Sequence, residues 1–503
     1  DNWRVKKMAA IITEKFRTHN ARQFIEDFTE ESQYVFIGRP HSWPDDNNPP
    51  APANSESEEI SAYEDMIALK KVASTDVSHG LVRYNWDSTG NTKYDEYRDN
   101  YSASNTTNVT SASNFFDGRG YVITEDFRVY KCLRTGVDAS GNAVNSTVKP
   151  DTVSSTIPQI TSDSGATHGY MWKFMYSIGA SDVIKFVTND FIPVKTLGAK
   201  SGVAGSGENG GFGSTATDDS SAQWDVENGA VDGAIFHYVV TAAGSSYSNG
   251  STTTFDFDVA IEGDGSGAVA TLSFESGALK RVQRKDTSSF GSGYKRASHP
   301  TLTSALSGLS AGTGATFKPI ISPINGHGAN PLEELGGNYV IVNSRLEFGE
   351  GSGDFPTDND FRRIGLIKNP VQSSDSTIST EGSLTATNQV TVDNATSLTV
   401  DDVITNAASE SASTAKARIV SKTGNVLKLL PVVNAGGEYV NFANSDSIFK
   451  DGSDTSVDVS SSGVSSAHPE MTRFTGQILY VENRGAVSRA ADQIEDIKLI
   501  IEM

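Results

Sequence analysis

Apolar positions near the start of the chain recur with helical spacing. Ala21, Phe24, Ile25 and Phe28 stand at i, i+3, i+4 and i+7, one face of a helix, and Thr18 or Asn20 is placed to cap it. The Met8–Ile12 run fits a strand or a helix equally, and Gln33–Gly38 (QYVFIG) reads as a strand. Residues 39–54 carry Pro40, Pro44, Pro49, Pro50 and Pro52, which deny the backbone both helix and sheet ladder, so an extended loop is expected. Ser55-x-x-Glu58 is a capping box opening a second helix with Ile60, Tyr63 and Ile67 on one face. Residues 1–75 hold the only helices the pattern predicts.

From residue 79 the period changes to two. Val82, Tyr84 and Trp86 alternate with Arg83 and Asn85. Phe127, Val129 and Leu133 alternate with Arg128, Tyr130 and Cys132. The strongest strand is Gly169–Ile178. Alternation puts Tyr170, Trp172, Phe174, Tyr176 and Ile178 on one face, and Met171, Lys173, Met175 and Ser177 on the other. Further strands fall at Tyr339–Phe348, Phe361–Lys368, Gln477–Glu482 and Asp496–Glu502. The expected fold is mainly β (α+β): a β-sandwich main body with a few N-terminal helices, plus two inserted small β domains.

The insertions differ in composition. Residues 198–325 are rich in Gly, Ser, Thr and Ala and contain a repeat. Ser245-Ser246-Tyr247 recurs as Gly293-Tyr294, and Gly-Asp-Gly-Ser-Gly-Ala-Val-Ala (263–270) recurs as Gly-Thr-Gly-Ala-Thr-Phe (312–317), with 47 residues separating Tyr247 from Tyr294 and Gly265 from Gly312. Residues 376–466 hold short, closely spaced strands and the turn Thr423-Gly424-Asn425, the pattern of a small β barrel. The division expected is a first core segment at 1–197 with the N-terminal helices and sandwich strands, the Gly-rich insertion at 198–325, a second core segment at 326–375, the barrel at 376–466 and C-terminal core strands at 467–503.

Composition narrows the function. The 503 residues are 37% hydrophobic, and 46 glycines lift the apolar-plus-glycine share to about 46%, in the globular range. Sixty-two acids against 41 bases leave a net charge of -21, with no run of consecutive bases longer than pairs such as Lys6-Lys7 or Lys70-Lys71, which disfavours nucleic acid as a partner. The single cysteine, Cys132, excludes an intrachain disulfide and fits folding in a reducing compartment. The start, Asp1–Lys7, lacks the apolar core of a signal peptide, and no apolar run approaches the ~20 residues of a membrane helix.

Catalytic patterns are missing. His19, His41, His79, His168, His237, His299, His327 and His468 include no i, i+4 zinc pair. Gly-Asp-Gly-Ser-Gly (263–267) lacks the Gly-Lys-Ser/Thr of a phosphate loop and reads as a hairpin turn. Asp45-Asp46 and Glu56, Glu58 and Glu59 suit a solvated loop and a helix N-terminus better than a calcium or glycosidase site. The Tyr170–Tyr176 stripe reads as core rather than a sugar platform, and Cys132 as a small packed side chain. No catalytic, cofactor-binding or metal residue is assigned, and no cofactor or enzyme activity is expected.

Several segments go further. Ile12-Thr-Glu-Lys-Phe-Arg-Thr18, Tyr34-Val-Phe-Ile-Gly-Arg39 and Trp43-Pro44 are followed by Val129-Tyr-Lys-Cys-Leu133 and Gly169-Tyr-Met-Trp-Lys-Phe-Met-Tyr176. Then come Phe361-Arg-Arg-Ile-Gly-Leu-Ile-Lys-Asn-Pro370, Gly476-Gln-Ile-Leu-Tyr-Val-Glu-Asn-Arg484 and Asp492-Gln-Ile-Glu-Asp-Ile497. In order and type these resemble the baseplate wedge subunit of T-even-type contractile-tailed phages, the gene product eight family. The resemblance covers about 1–197, 326–375 and 467–503; the two insertions have no counterpart there.

The resemblance implies a structural virion protein, assembled in the host cytoplasm and located in the tail baseplate. It implies a homodimer in each of six wedges, touching wedge subunits similar to gene products six, seven and ten, and rearranging on contraction. The alternative is a tail receptor-binding or glycan-degrading protein, expected to be trimeric with paired carboxylates or an aromatic groove. A third reading is a cell-surface adhesin, which the missing signal peptide disfavours.

Overall fold

The computed structural model describes residues 12–98, 109–110, 118–197, 219–303, 309–310, 312–350, 353–490 and 493–503. The Met8–Ile11 stretch, the Lys6-Lys7 pair and Asp492 lie outside them. The chain is mainly β, with 41% of residues in strands and 11% in helices. The helices among the described residues are α1 (Glu14–Glu30), α2 (Glu56–Asp65), α3 (Ala180–Phe186), α4 (Asp219–Asn228) and α5 (Pro331–Leu335), together with a single 3-10 turn at Ser74–Asp76. The last three α-helices were not expected. They are short, and α4 has Gln, Asp and Asn where a periodic apolar stripe would show.

Helix starts follow local chemistry. Thr13, not Thr18 or Asn20, opens α1: its Oγ1 accepts from the Phe16 N–H at 3.3 Å, and the two expected caps sit inside the helix. Ser55 caps α2, its Oγ accepting from the Glu58 N–H at 3.3 Å. That helix stops at Asp65, so Ile67 belongs to the strand Met66–Lys71, and Ile60 is exposed.

Two compact units form. One comprises residues 1–21, 78–339 and 502–503, the other 22–77 and 340–501. The segment 1–197 is therefore divided between both. In the first unit a sheet runs in the order Tyr121–Ile123, Arg128–Arg134, Met171–Ser177, Gln159–Ile160. One face packs on the paired strands Val77–Val82 and Phe191–Val194 and on α5, through Leu81, Ile123, Val129, Met175, Ile192 and Leu332. The other face buries Tyr94, Tyr130, Cys132, Tyr170, Trp172 and Phe174 beneath Val226 of α4.

The aromatic stripe is thus divided between two cores. Val129 pairs with Tyr176 and Tyr130 with Phe174, which leaves Met175 as an extra residue on its strand. Such a bulge reverses the alternation beyond it. Tyr170, Trp172 and Phe174 stay on one face, while Tyr176 and Ile178 turn to the other.

The glycine-rich stretch of this unit has its own core, which includes Tyr247, Leu272, Phe274, Leu279, Tyr294 and Phe317. Its repeats interlock. The strand Ile235–Ser245 pairs with Thr313–Ile321, Ser245 opposite Thr313 and Ala243 opposite Ala315. Phe290–Ser292 pairs with the start of Ser266–Glu275, Ser292 opposite Ser266 and Phe290 opposite Ala268. All four positions match at the 47-residue offset, so each copy's tyrosine strand pairs with the other copy's glycine strand. The glycines are required: a Cβ on Gly312 would lie 2.4 Å from the Tyr247 ring, and one on Gly265 2.5 Å from the Tyr294 ring. Gly-Asp-Gly-Ser-Gly lies in the wide hairpin connection between the paired strands Phe255–Ala260 and Ser266–Glu275: Gly263 pairs with Ala297, and Ser266 and Gly267 already belong to the second strand. Asp264 Oδ1 anchors it by accepting from the Lys295 and Arg296 N–H groups at 2.8 and 2.9 Å.

The second unit contains a five-stranded sheet in the order Ser383–Thr385, Met66–Lys71, Gln33–Gly38, Asp360–Lys368, Gln477–Ser488. It also contains a closed six-stranded barrel spanning Asn388 to Val464, filled by Val390, Leu398, Ile419, Leu427, Ile448 and Val457. The stretch 376–466 therefore supplies more than a barrel, because Ser383–Thr385 extends the main sheet and Tyr34 Oη donates to the Glu381 carbonyl at 2.7 Å.

Candidate functional site

Three acids of the second unit's proline-rich loop and α2, Asp46, Glu58 and Asp65, are held by arginines. Both Asp46 oxygens accept from Arg362 Nε at 3.1 and 3.0 Å, and Asp46 Oδ1 also accepts from the Trp43 N–H at 2.7 Å. Glu58 lies 2.6 Å from Arg363 Nη2, and Asp65 3.3 Å from both Arg363 and Arg39. The Arg39 guanidinium lies 3.5 Å from the Trp43 ring centroid, and Trp43 Nε1 donates to the Arg484 carbonyl at 2.9 Å. Arg363 Nε donates to Asn483 Oδ1 at 3.0 Å. Burial, helped by these arginines, pushes His41 down to about 4, so it is neutral here. This cluster is a structural clamp; the loop's carboxylates are not gathered around an open site.

A second cluster lies inside the first unit. Lys131 and Lys173 alternate within hydrophobic strands yet are buried. Lys131 Nζ sits 2.9 Å from Glu334 Oε1, and the His327 Nδ1–H donates to the same oxygen at 2.5 Å. The Gly328 N–H donates to Glu334 Oε2 at 2.6 Å, and Lys173 Nζ donates to the Ser155 carbonyl. Burial alone would raise the Glu334 pKa; the charge of Lys131 and the bond from His327 reverse that and hold it at about 2. Burial lowers Lys173 to about 8. Glu334 reaches this site because Asn330 caps α5, its Oδ1 accepting from the Glu333 N–H at 3.1 Å. Sequence reasoning missed the cluster; lysines interrupting apolar strands were its one visible signal.

The remaining histidines are dispersed. His79 faces the Gly337 carbonyl, His237 faces Glu96, His299 faces the Pro300 carbonyl and His168 faces Arg281; His468 precedes Pro469, and His19 is exposed on α1. Among the described residues no group of three or more His, Cys, Asp or Glu is placed to hold a metal ion. Cys132 is buried, and burial pushes its thiol far above the usual range.

One open cavity of the first unit, about 250 Å³, has an unusual charge. Among the described residues Arg98, Arg134, Lys280 and Arg281 line it together with a single carboxylate, Glu96. Glu96 is already engaged by Arg98 at 2.5 Å, by His237 at 3.4 Å and by the Thr135 N–H at 3.0 Å.

No protein-family model matches this sequence, and no curated protein matches it.

Proposed function

We propose that this chain is a structural subunit of a contractile phage tail baseplate, of the wedge type, acting as a homodimer that holds neighbouring wedge subunits and rearranges with them on contraction. The observation that carries this reading is where the motif residues lie. Segments hundreds of residues apart in sequence meet in one clamp: Arg39 and Trp43 from the early motifs, Arg362 and Arg363 from the Phe361–Pro370 motif, Asn483 and Arg484 from the Gly476–Arg484 motif. The Gln33–Gly38 strand pairs with Asp360–Lys368, which pairs with Gln477–Ser488. In the other unit the two remaining strand motifs, Val129–Leu133 and Gly169–Tyr176, lie side by side. Residues carrying the resemblance thus build the frames, while the glycine-rich stretch and the barrel hold separate cores.

The subunit works by binding, and its partners are proteins. A lasting wedge contact needs more than roughly 1,000 Å² of total buried surface. Screening by salt would weaken charged rims while sparing an apolar interface core. The test is light scattering of the pure chain, followed by co-purification with co-expressed wedge neighbours. A dimer that captures them supports the reading; a trimer that captures host glycan and no wedge subunit overturns it.

A further inference from the structure

The lining of the cavity beside Glu96 has an excess of positive charge among the described residues. Among the described residues four cations face one carboxylate, in a chain whose net charge is -21. Arg134 Nε and Nη2 both donate to the Gly169 carbonyl, at 3.3 and 2.8 Å. Arg281 Nε and Nη2 both donate to Ser273 Oγ, at 3.2 and 3.0 Å, and its Nη1 donates to His168 Nε2 at 3.2 Å. Every hydrogen-bond partner of these two guanidiniums is neutral. His168 is neutral as well: burial, with Arg281 and Arg134 beside it, holds its pKa at about 4. Burial likewise lowers Arg134 to about 10 although Glu96 opposes the shift. Half-buried cations hydrogen-bonded to neutral groups, with one carboxylate shared among them, cost free energy that a bound anion would recover.

We propose that this cleft is a binding site for a small oxyanion, a carboxylate or phosphate group carried on a ligand of about monosaccharide size. Arg281 and Arg134 supply the fork-shaped donors that suit planar or tetrahedral oxyanions, and the exposed Lys280 adds a point charge at the rim. Val137 and Val282 give the body of the ligand an apolar wall. The volume is below that of a drug-sized site, which sets the size limit. Glu96, already engaged, keeps Arg98 and His237 in place and rejects anions that reach too deep. This assignment does not depend on the wedge reading.

The test is calorimetric titration of the full chain with glucose 6-phosphate, glucuronate and uncharged glucose at constant ionic strength. One or both oxyanions should bind saturably at one site per chain, and glucose should not. Arg281→Gln and Lys280→Gln should each weaken binding about tenfold or more, the loss expected for a charged hydrogen bond. Lys285→Ala, which removes a lysine paired with Asp258 outside the cleft, should leave it unchanged. Lys280 is exposed, so its variant tests the site even where the Arg281 variant folds poorly. Binding by neither oxyanion, or binding equal in the Lys280 and Lys285 variants, overturns the proposal.

Discussion

Gly312→Ala tests the interlocked repeats most directly. The added Cβ would lie 2.4 Å from the Tyr247 ring and 2.8 Å from the Tyr247 Cα, and the backbone there has φ +112°, which L side chains rarely adopt. Overpacking a tight core costs about 1–3 kcal/mol, and the backbone strain adds about 1–3 kcal/mol. Tyr247 is 1% exposed, and its Oη accepts from the Ala315 N–H at 3.2 Å, so the ring cannot move aside without losing a buried bond. A destabilisation of about 3–5 kcal/mol is expected. Gly265→Ala meets the Tyr294 ring at 2.5 Å and the Ser292 carbonyl at 2.6 Å without the unusual φ, so about 2–3 kcal/mol should be lost there. Gly250→Ala is the control: φ is +60° but nothing lies within 4 Å, so about 1 kcal/mol is the limit. Urea unfolding gives the sizes, and hydrogen exchange over 231–322 locates the loosened region. Because both repeat glycines serve one core, the double variant should cost less than the sum. If Gly312→Ala is no worse than Gly250→Ala, the tyrosine–glycine contact does not hold the module together.

Three further outcomes are expected. Trp172→Ala should lose about 3–5 kcal/mol, because Trp172 is fully buried and stacked on Tyr170 at 5.6 Å; an unchanged urea midpoint would place the ring outside the core. Glu334→Gln should cost about 3–5 kcal/mol by removing the negative charge that faces the buried Lys131 ammonium. Because the folded-state pKa of Glu334 is depressed from 4.5 to about 2, its contribution is complete above 4.5 and disappears as pH falls through about 2. Acid titration of stability should therefore be steeper over that window in the wild type than in the variant, and equal slopes would refute this assignment. Replacing the barrel residues 388–464 with a short Gly/Ser linker should leave the second unit's sheet folded, since the Ser465 N–H donates to the Gln389 carbonyl at 3.0 Å and the two ends already meet. Circular dichroism and a cooperative melt check this; aggregation of the excised chain would show that the barrel supports the sheet.

Much of the local structure was legible from residue order. Period-two alternation marks the strands Arg128–Arg134 and Met171–Ser177, the five prolines mark an irregular loop, and the Ser55-x-x-Glu58 box marks the start of α2. The 47-residue offset announced a duplication. These are short-range signals, because backbone conformation and capping depend on residues a few positions apart. Contacts between distant residues were not legible. The bulge at Met175 depends on how its strand registers against Arg128–Arg134, so the aromatic stripe read as one face is divided between two cores. Asp46 and Glu58 read as solvated acids because Arg362 and Arg363, over 300 residues away, were not visible as their partners. The exchange of strands between repeats, and the gathering of Arg98, Arg134, Lys280 and Arg281 around one cavity, follow from the same cause. Hydrophobic periodicity records which face of an element is buried, and only tertiary packing decides which charges and rings meet there.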